Sequence, residues 1–455
     1  MNEFVGRAGL PAGGRSVCTD LDLGSLQSRI LLLIAFLLFF YLSMLFVSLV
    51  ATNFHVGFGF WQPPLTAIAM TIGVVSLAAV LAAAFAFARF SFGYLVGFHL
   101  FAVMAGYFWV NAFGTLGYDR PAALISAIAS IVLFLAPALL ITQPIAVPFK
   151  LPQAVLELLP VGILGLGAIV FASAALGEFH LVGLEDIYQY RGALNHSRLF
   201  WYFAGNFNGA LFPFAFACFL ARKRWMLLLL LCAVELLSYP TTLSKISLLV
   251  AFLLVFIAVL SAYLEPRAVV ILSLLVPAAV GSLAHLVDTG VTRQVFGLLG
   301  LRLLAVPALS LEHYYVFFSE HPLTYFCQVS LLKAVMSCPY SEQLGDVMSN
   351  WFRLGSMNAS SFAIEGVASV GVLFAPVSAL ACGLVVALGN RLSAGLPAQF
   401  VLVSAAAIPP VLTNISLTTT LGTNGLGLLL LLWAVTPGSH FAAERGLHRS
   451  PTSAV

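Results

Sequence analysis

The sequence predicts an all-α, polytopic membrane protein of about 12 transmembrane helices, with a long, partly helical loop on one side. Three observations lead there. The chain is 61% hydrophobic and only 8% charged, and its mean hydropathy of +1.04 lies far above that of a soluble domain. Apolar runs close to the ~20 residues needed to cross the hydrocarbon recur along it with few charges inside. Helices are the form they take, because lipid offers no partner to an unpaired backbone amide or carbonyl.

Taken in order, residues 1–27 are a polar N-terminal segment, MNEFVGRAGLPAGGRSVCTDLDLG and the residues after it. The apolar run that follows is too long for a signal-peptide core, so no cleavage is expected. Residues 28–287 hold nine predicted helices, at 28–50, 65–88, 92–114, 122–143, 154–176, 200–220, 225–242, 245–263 and 268–287. SYPTTLSK separates the seventh from the eighth, Pro240 and its hydroxyl-bearing neighbours favouring a break. Residues 364–437 hold three more, at 364–389, 398–416 and 419–436, with Pro409 and Pro410 predicting a kink in the second. Residues 438–455 form a tail.

Charge sets the orientation. A cytoplasmic N-terminus puts Arg7, Arg15, Arg29, Arg89, Lys150, Arg222, Lys223, Arg224, Arg267, Arg391, Arg445 and Arg449 on the inner side, as the positive-inside rule expects. Both termini are then cytoplasmic. Two outer segments, 177–199 and 288–363, hold nearly all the remaining charge. The second is long enough to require structure of its own, and LEHYYVFFSEHPLTYF is expected to be an amphipathic helix lying over the membrane face.

Some functions are excluded at this stage. The net charge is +3 and the basic residues form no long cluster, so nucleic acid has no footprint. The six cysteines form no CxxC pair and no Cys/His spacing of zinc type, so a metal site has little support. Cys327 and Cys338 share the long outer segment, where they can be bridged or free.

The candidate chemistry sits in the two outer segments. GLEDIYQYRGALNHSR (183–198) gathers Glu185, Asp186, Tyr190, Arg191, His196 and Arg198 in a chain that uses charge sparingly. Guanidinium forks suit a lipid diphosphate; the bland alternative is a solvated loop with weak surface pairs. The long segment offers Arg293, Arg302, Glu312, His313, Tyr314, Tyr315, Glu320, His321, Tyr340, Asn350, Trp351, Arg353 and Asn358, with Glu365 at the start of the tenth helix. Aromatic rings beside carboxylates suit a sugar, although rings at headgroup depth also merely anchor a protein. Glu312 and His313 can cap a helix or act as a general base. Lys245 can snorkel or reach a lipid phosphate, whereas Glu235 and His99 read as satisfied intramembrane groups.

In their order along the chain, the arginine-bearing segment before a span, TTLSKISLL, LEHYYVFFSEHPLTYF, CPYSEQLGDVMSNWF and MNASSFAIEGVASVGVLFAPV resemble the bacterial oligosaccharide repeat unit polymerases. These are the O-antigen polymerase (Wzy-type) group of GT-C-like membrane glycosyltransferases. The Arg198 and Gly209 pair matches an arginine-to-glycine spacing of that family, whereas Arg302 and Arg353 lack the glycine that its second loop usually carries. Lys245 stands where the family commonly has arginine.

The resemblance implies inverting glycosyl transfer on undecaprenyl-diphosphate-linked repeat units at the periplasmic face of the inner (plasma) membrane. The product would be a surface polysaccharide: O-antigen of lipopolysaccharide, capsule or exopolysaccharide. Arg191, Arg198, Arg353 and Lys245 would hold the diphosphate. Tyr190, His196, Tyr314, Tyr315 and Asn358 would line the sugar site, and Glu312 or His313, then Glu365, would be the base. No metal or cofactor is implied; a chain-length regulator and a flippase are the expected partners beside the lipid bilayer. The rivals are an O-antigen ligase, with the same donor, and a lipid-linked sugar transporter or flippase, which would place its site near the bilayer midplane.

Overall fold

The computed structural model describes residues 23–53, 64–183, 186–192, 194–285, 287, 294, 296–329, 332, 335–354, 357 and 359–438. Among them every regular element is helical. Ten helices are long and apolar enough to cross a membrane. They are α1 (Leu23–Asn53), α2 (Pro64–Phe87), α3 (Phe92–Phe113), α4 (Arg120–Leu140), α5 (Gln153–Gly177), a sixth at Arg198–Ala221, α9 (Trp225–Thr242), α10 (Lys245–Tyr263), α11 (Pro266–His285) and a tenth at Phe362–Ser393. The sixth consists of α7 (Arg198–Asn206) and α8 (Phe212–Ala221) joined by a π-turn at Phe207–Leu211. A short α6 (Ile187–Arg191) precedes it.

The last two expected spans come out in pieces. They are α15 (Ala398–Ala405), α16 (Ile408–Leu412), α17 (Leu417–Thr423) and α18 (Leu426–Val435), numbered after α12 (Val306–Glu320), α13 (Leu344–Phe352) and α14 (Ser369–Ser393). The kink expected at Pro409 and Pro410 is present: neither residue has an amide hydrogen to bond back across Ala406 and Ala407, so α15 and α16 separate there. Helices α17 and α18 meet at 62° and count as an eleventh span if taken together. Ala398–Leu412 has no uninterrupted helix of spanning length, so ten or eleven such spans are found among the described residues, where the sequence predicts about twelve.

Helix order separates two faces. Loops 88–91, 141–152, 222–224, 264–265 and 394–397 share one, tied together by Lys150 Nζ donating to the Ala434 carbonyl (2.7 Å), Arg222 Nη1 to Glu157 O (3.4 Å) and Gln399 Nε2 to Ser261 Oγ (3.1 Å). This basic face carries Arg89, Lys150, Arg222, Lys223, Arg224, Arg267 and Arg391. Loop 114–119 and the described residues of the 178–197 and 286–361 segments lie toward the opposite face, the loop face.

Helix α3 is the axis of the bundle. It is apolar all round and buried along its length, as such a helix must be in a helical protein. Glycine shapes the region around the loop face at Gly209 and at Gly371. A side chain on Gly209 would run into the Asn424 carbonyl at the α17–α18 bend, so the π-turn of the sixth span can seat there only with hydrogen at that position. Gly371 takes φ +74° and kinks the tenth span. Carbonyls beside that kink accept from Thr324 N (to Ala368, 2.8 Å) and Tyr325 N (to Ser369, 3.1 Å), which fastens the long loop to the bundle.

The long loop differs from expectation in one respect. Helix α12, which contains LEHYYVFF, does not lie over the membrane face. It is buried from Pro307 to Tyr315 and packs between α3 and the start of the tenth span. Aromatic and aliphatic residues occur on every side of it, so no polar face is available to turn toward water. The amphipathic helix of this segment is α13, with Leu344 and Met348 inward and Trp351 outward. Cys327 and Cys338 form a disulfide, with Cα atoms 5.3 Å apart. Maleimide labelling of spheroplasts should therefore modify neither cysteine until a reductant is added; equal labelling with and without reductant would exclude the bridge.

Candidate functional site

The best-defined polar cluster on the loop face joins three elements that are distant in sequence. Asp119 caps α4 by accepting from Ala122 N (3.1 Å), which sets Arg120 at the helix start. The Arg120 guanidinium donates through Nη1 to Asn111 O (2.5 Å) and through Nη2 to Leu116 O (2.7 Å) and Glu312 Oε1 (3.3 Å). Tyr118 Oη donates to the same Glu312 oxygen at 3.3 Å, and Asn111 Nδ2 donates to Tyr118 Oη at 3.1 Å. The Arg120 guanidinium also lies over the Tyr118 ring, 4.7 Å from its centroid. The Glu312 side chain is 3% exposed and that of Arg120 25%, so the carboxylate communicates with the surface through its two partners.

Burial pushes the Glu312 carboxyl up to about 7, against the opposing pull of the Arg120 charge and the Tyr118 and Arg120 hydrogen bonds. A group with its midpoint there is half ionised near neutral pH, the condition that suits a general base.

The other base candidates are differently placed. His313 Nδ1 donates to Leu309 O (2.7 Å), which leaves Nε2 unprotonated; the ring meets Phe352 edge-on (4.6 Å), and burial lowers its pKa. Glu365 accepts from Leu417 N (3.0 Å) and Thr418 N (2.6 Å), so its carboxylate caps α17 and neutralises two otherwise unpaired amides. It also borders an apolar groove of about 470 Å³ between the tenth span and α17, beside Phe374, Val377 and Leu421.

Three of the four proposed diphosphate ligands share one support. Ile187 packs with Tyr239 and Leu243, Tyr239 Oη donates to Val182 O (2.7 Å), and His196 Nε2 bonds Thr241 O (2.9 Å). Val182, Ile187 and His196 thus rest on the α9–α10 break, where Leu243 turns left-handed (φ +46°). Exposed Arg191 and Arg198 flank that rest, and Lys245 opens α10 beneath it. Arg353 stands elsewhere, exposed at the left-handed end of α13. None of the four lines either the 470 Å³ groove or a 390 Å³ cleft beside α13.

Of the expected sugar ligands, Tyr190 is exposed, 6.2 Å from the His180 ring. His196 is committed to Thr241 and to a tilted ring contact with Phe200 (4.1 Å). Tyr314 and Tyr315 are buried, Tyr315 stacked on Tyr107 at 5.2 Å, so neither offers a face to a ligand from solvent. Their aromatic character serves the core. Asn358, like Glu185 and Arg293, lies outside the described residues, as does the side chain of Arg302.

Arg120, Tyr118 and Asn111 are members of the site that sequence reasoning passed over. A signal was present: between residues 90 and 149 the only Asp, Glu, Lys or Arg residues are Asp119 and Arg120, and they fall in a short loop that the orientation places outside. A lone arginine on the wrong side of the positive-inside rule has a local reason to be there.

Within the spans, Glu235 is fully buried on α9 and accepts from the Asn208 amide (3.1 Å), whose oxygen accepts from Ser247 Oγ (2.6 Å). Asn208 sits in the π-turn, so that distortion delivers a donor to an intramembrane carboxyl. No family model, curated protein or solved structure matches the chain.

Proposed function

We propose that the chain is a membrane glycosyltransferase that joins undecaprenyl-diphosphate-linked oligosaccharide repeat units into a surface polysaccharide, with the loop face turned to the periplasm. The observation that carries the proposal is Glu312: a carboxylate poised near neutral pH on the loop face, oriented by Arg120 and Tyr118. In this scheme a hydroxyl of the incoming unit attacks the anomeric carbon of the growing chain. The new C–O bond forms as the bond to the lipid diphosphate breaks, the configuration inverts, and the hydroxyl proton passes to the half-buried Tyr118 hydroxyl as that hydroxyl gives its own proton to Glu312. Negative charge on the departing diphosphate is met by Arg191, Arg198 and Lys245 at the α9–α10 break. The Cys327–Cys338 bridge supports the sidedness, since disulfides persist outside the cytosol.

A second reading, passage of a lipid-linked sugar across the membrane, has one observation in its favour: the buried Glu235 and Asn208 pair at the π-turn of a span. One experiment separates these readings from each other and from a ligase. In cells lacking the gene, the surface glycan should consist of single attached repeat units with no ladder. Long unattached polymer would mean a ligase, and absence of any exported unit would mean a transporter.

A further inference from the structure

The geometry points to a carbohydrate subsite in the cleft of about 390 Å³ formed by Pro339, Tyr340, Ser341 and Glu342 on one wall and Asn350 and Trp351 on the other. It rests on the reading of the chain as a glycan polymerase, and would hold sugars of a lipid-linked chain away from the bond being made. The volume lies within the ~300–1,000 Å³ of small-molecule sites.

Its chemistry is that of a ligand with apolar faces and hydroxyl edges. Trp351 remains 59% exposed although it is the largest apolar side chain of α13. Beside it, Asn350 Nδ2 donates to Glu342 Oε2 (3.2 Å), which orients a carboxylate able to accept hydroxyl hydrogen bonds. The lining contains no Lys or Arg, and a carboxylate in it repels phosphate, so a lipid diphosphate is a poor occupant and an uncharged sugar a good one.

Both walls are set before any ligand arrives. The Trp351 ring is held at right angles to His321 (4.6 Å) and Phe317 (5.6 Å), both on or beside the end of α12. Opposite, Tyr340 Oη donates to Pro322 O (2.8 Å), Gln328 Nε2 to the carbonyls of Tyr340 (3.4 Å) and Glu342 (3.3 Å), and the Cys327–Cys338 bridge ends one residue before Pro339. A wall fixed in this way loses little freedom on binding a flexible glycan. The same helix carries Glu312, nine residues before His321, or about 13 Å along the axis.

The test uses the purified full chain in detergent and oligosaccharides freed from their lipid by mild acid treatment of the producing cells' own surface glycan. Saturation-transfer NMR should report binding to the wild type, loss of affinity by tenfold or more for Trp351→Ala, and a several-fold loss for Glu342→Gln. Trp225→Ala, on the basic face, should bind as the wild type does. Glu342→Gln preserves shape, so it keeps the test valid should Trp351→Ala fold poorly. Equal binding by all variants, or no binding by the wild type, overturns the subsite. The two proposals fail separately. Trp351-dependent binding in a protein whose deletion leaves the glycan ladder intact would retain the subsite and sink the polymerase, whereas a lost ladder with Trp351-independent binding would do the reverse.

Discussion

Glu312→Gln is expected to reduce glycan polymerisation by at least a hundredfold while the protein is made and inserted normally. General-base contributions are typically 10²–10⁴-fold, and the substitution keeps an oxygen able to accept from Arg120 and Tyr118, so the fold is spared. In the wild type the rate should rise with pH through a midpoint near 7, because only ionised Glu312 accepts a proton. Stability should move the opposite way. The folded chain holds this proton up to about pH 7, whereas the unfolded chain releases it near 4.5. The group's contribution is therefore fully present below pH 4.5 and is lost as pH rises through 7, a change of about 3 kcal/mol. Thermal unfolding in detergent between pH 4.5 and 8 should show this component in the wild type and lack it in Glu312→Gln, the difference between the two profiles reporting Glu312 alone. A Gln variant with full activity would remove Glu312 as the base.

Arg120→Ala should be the most destabilising single change at the loop face, costing about 3 kcal/mol above pH 7, because it strands a buried carboxylate and frees two backbone carbonyls. The Glu312 midpoint should also climb, since the Arg120 charge is the largest influence holding it down. Arg120→Lys keeps the charge but loses the fork that reaches several acceptors at once, so it should restore part of the stability. Adding Glu312→Gln to Arg120→Ala should recover more of it than two independent changes would allow. Strict additivity in unfolding measurements would show that the pair does not interact.

Much of this was legible in the sequence. The nine helices before residue 288 follow their apolar runs, because a lipid-facing chain must close its hydrogen bonds within each run. The SYPTTLSK break and the Pro409–Pro410 kink are local chemistry and were equally readable. Missing were features decided by tertiary fit. Whether LEHYYVFF lies on the membrane or inserts beside α3 depends on space that the run itself does not encode. Tyr314 and Tyr315 read as ligands by type, yet α3 and its neighbours consume them. Glu365 looks like a base until the amides of Leu417 and Thr418, more than fifty positions away, are seen to occupy it. Arg120 was overlooked because it lies in neither long outer segment, although its charge was conspicuous.

The central claim is chemical, so a reaction in purified components tests it most directly. The chain in lipid nanodiscs, supplied only with undecaprenyl-diphosphate-linked repeat units from the producing cells, should generate a ladder of lengthening glycans. It should release one lipid diphosphate for each unit joined. Unchanged single repeat units and no released lipid diphosphate, from protein that is folded by its melting curve, would contradict the account.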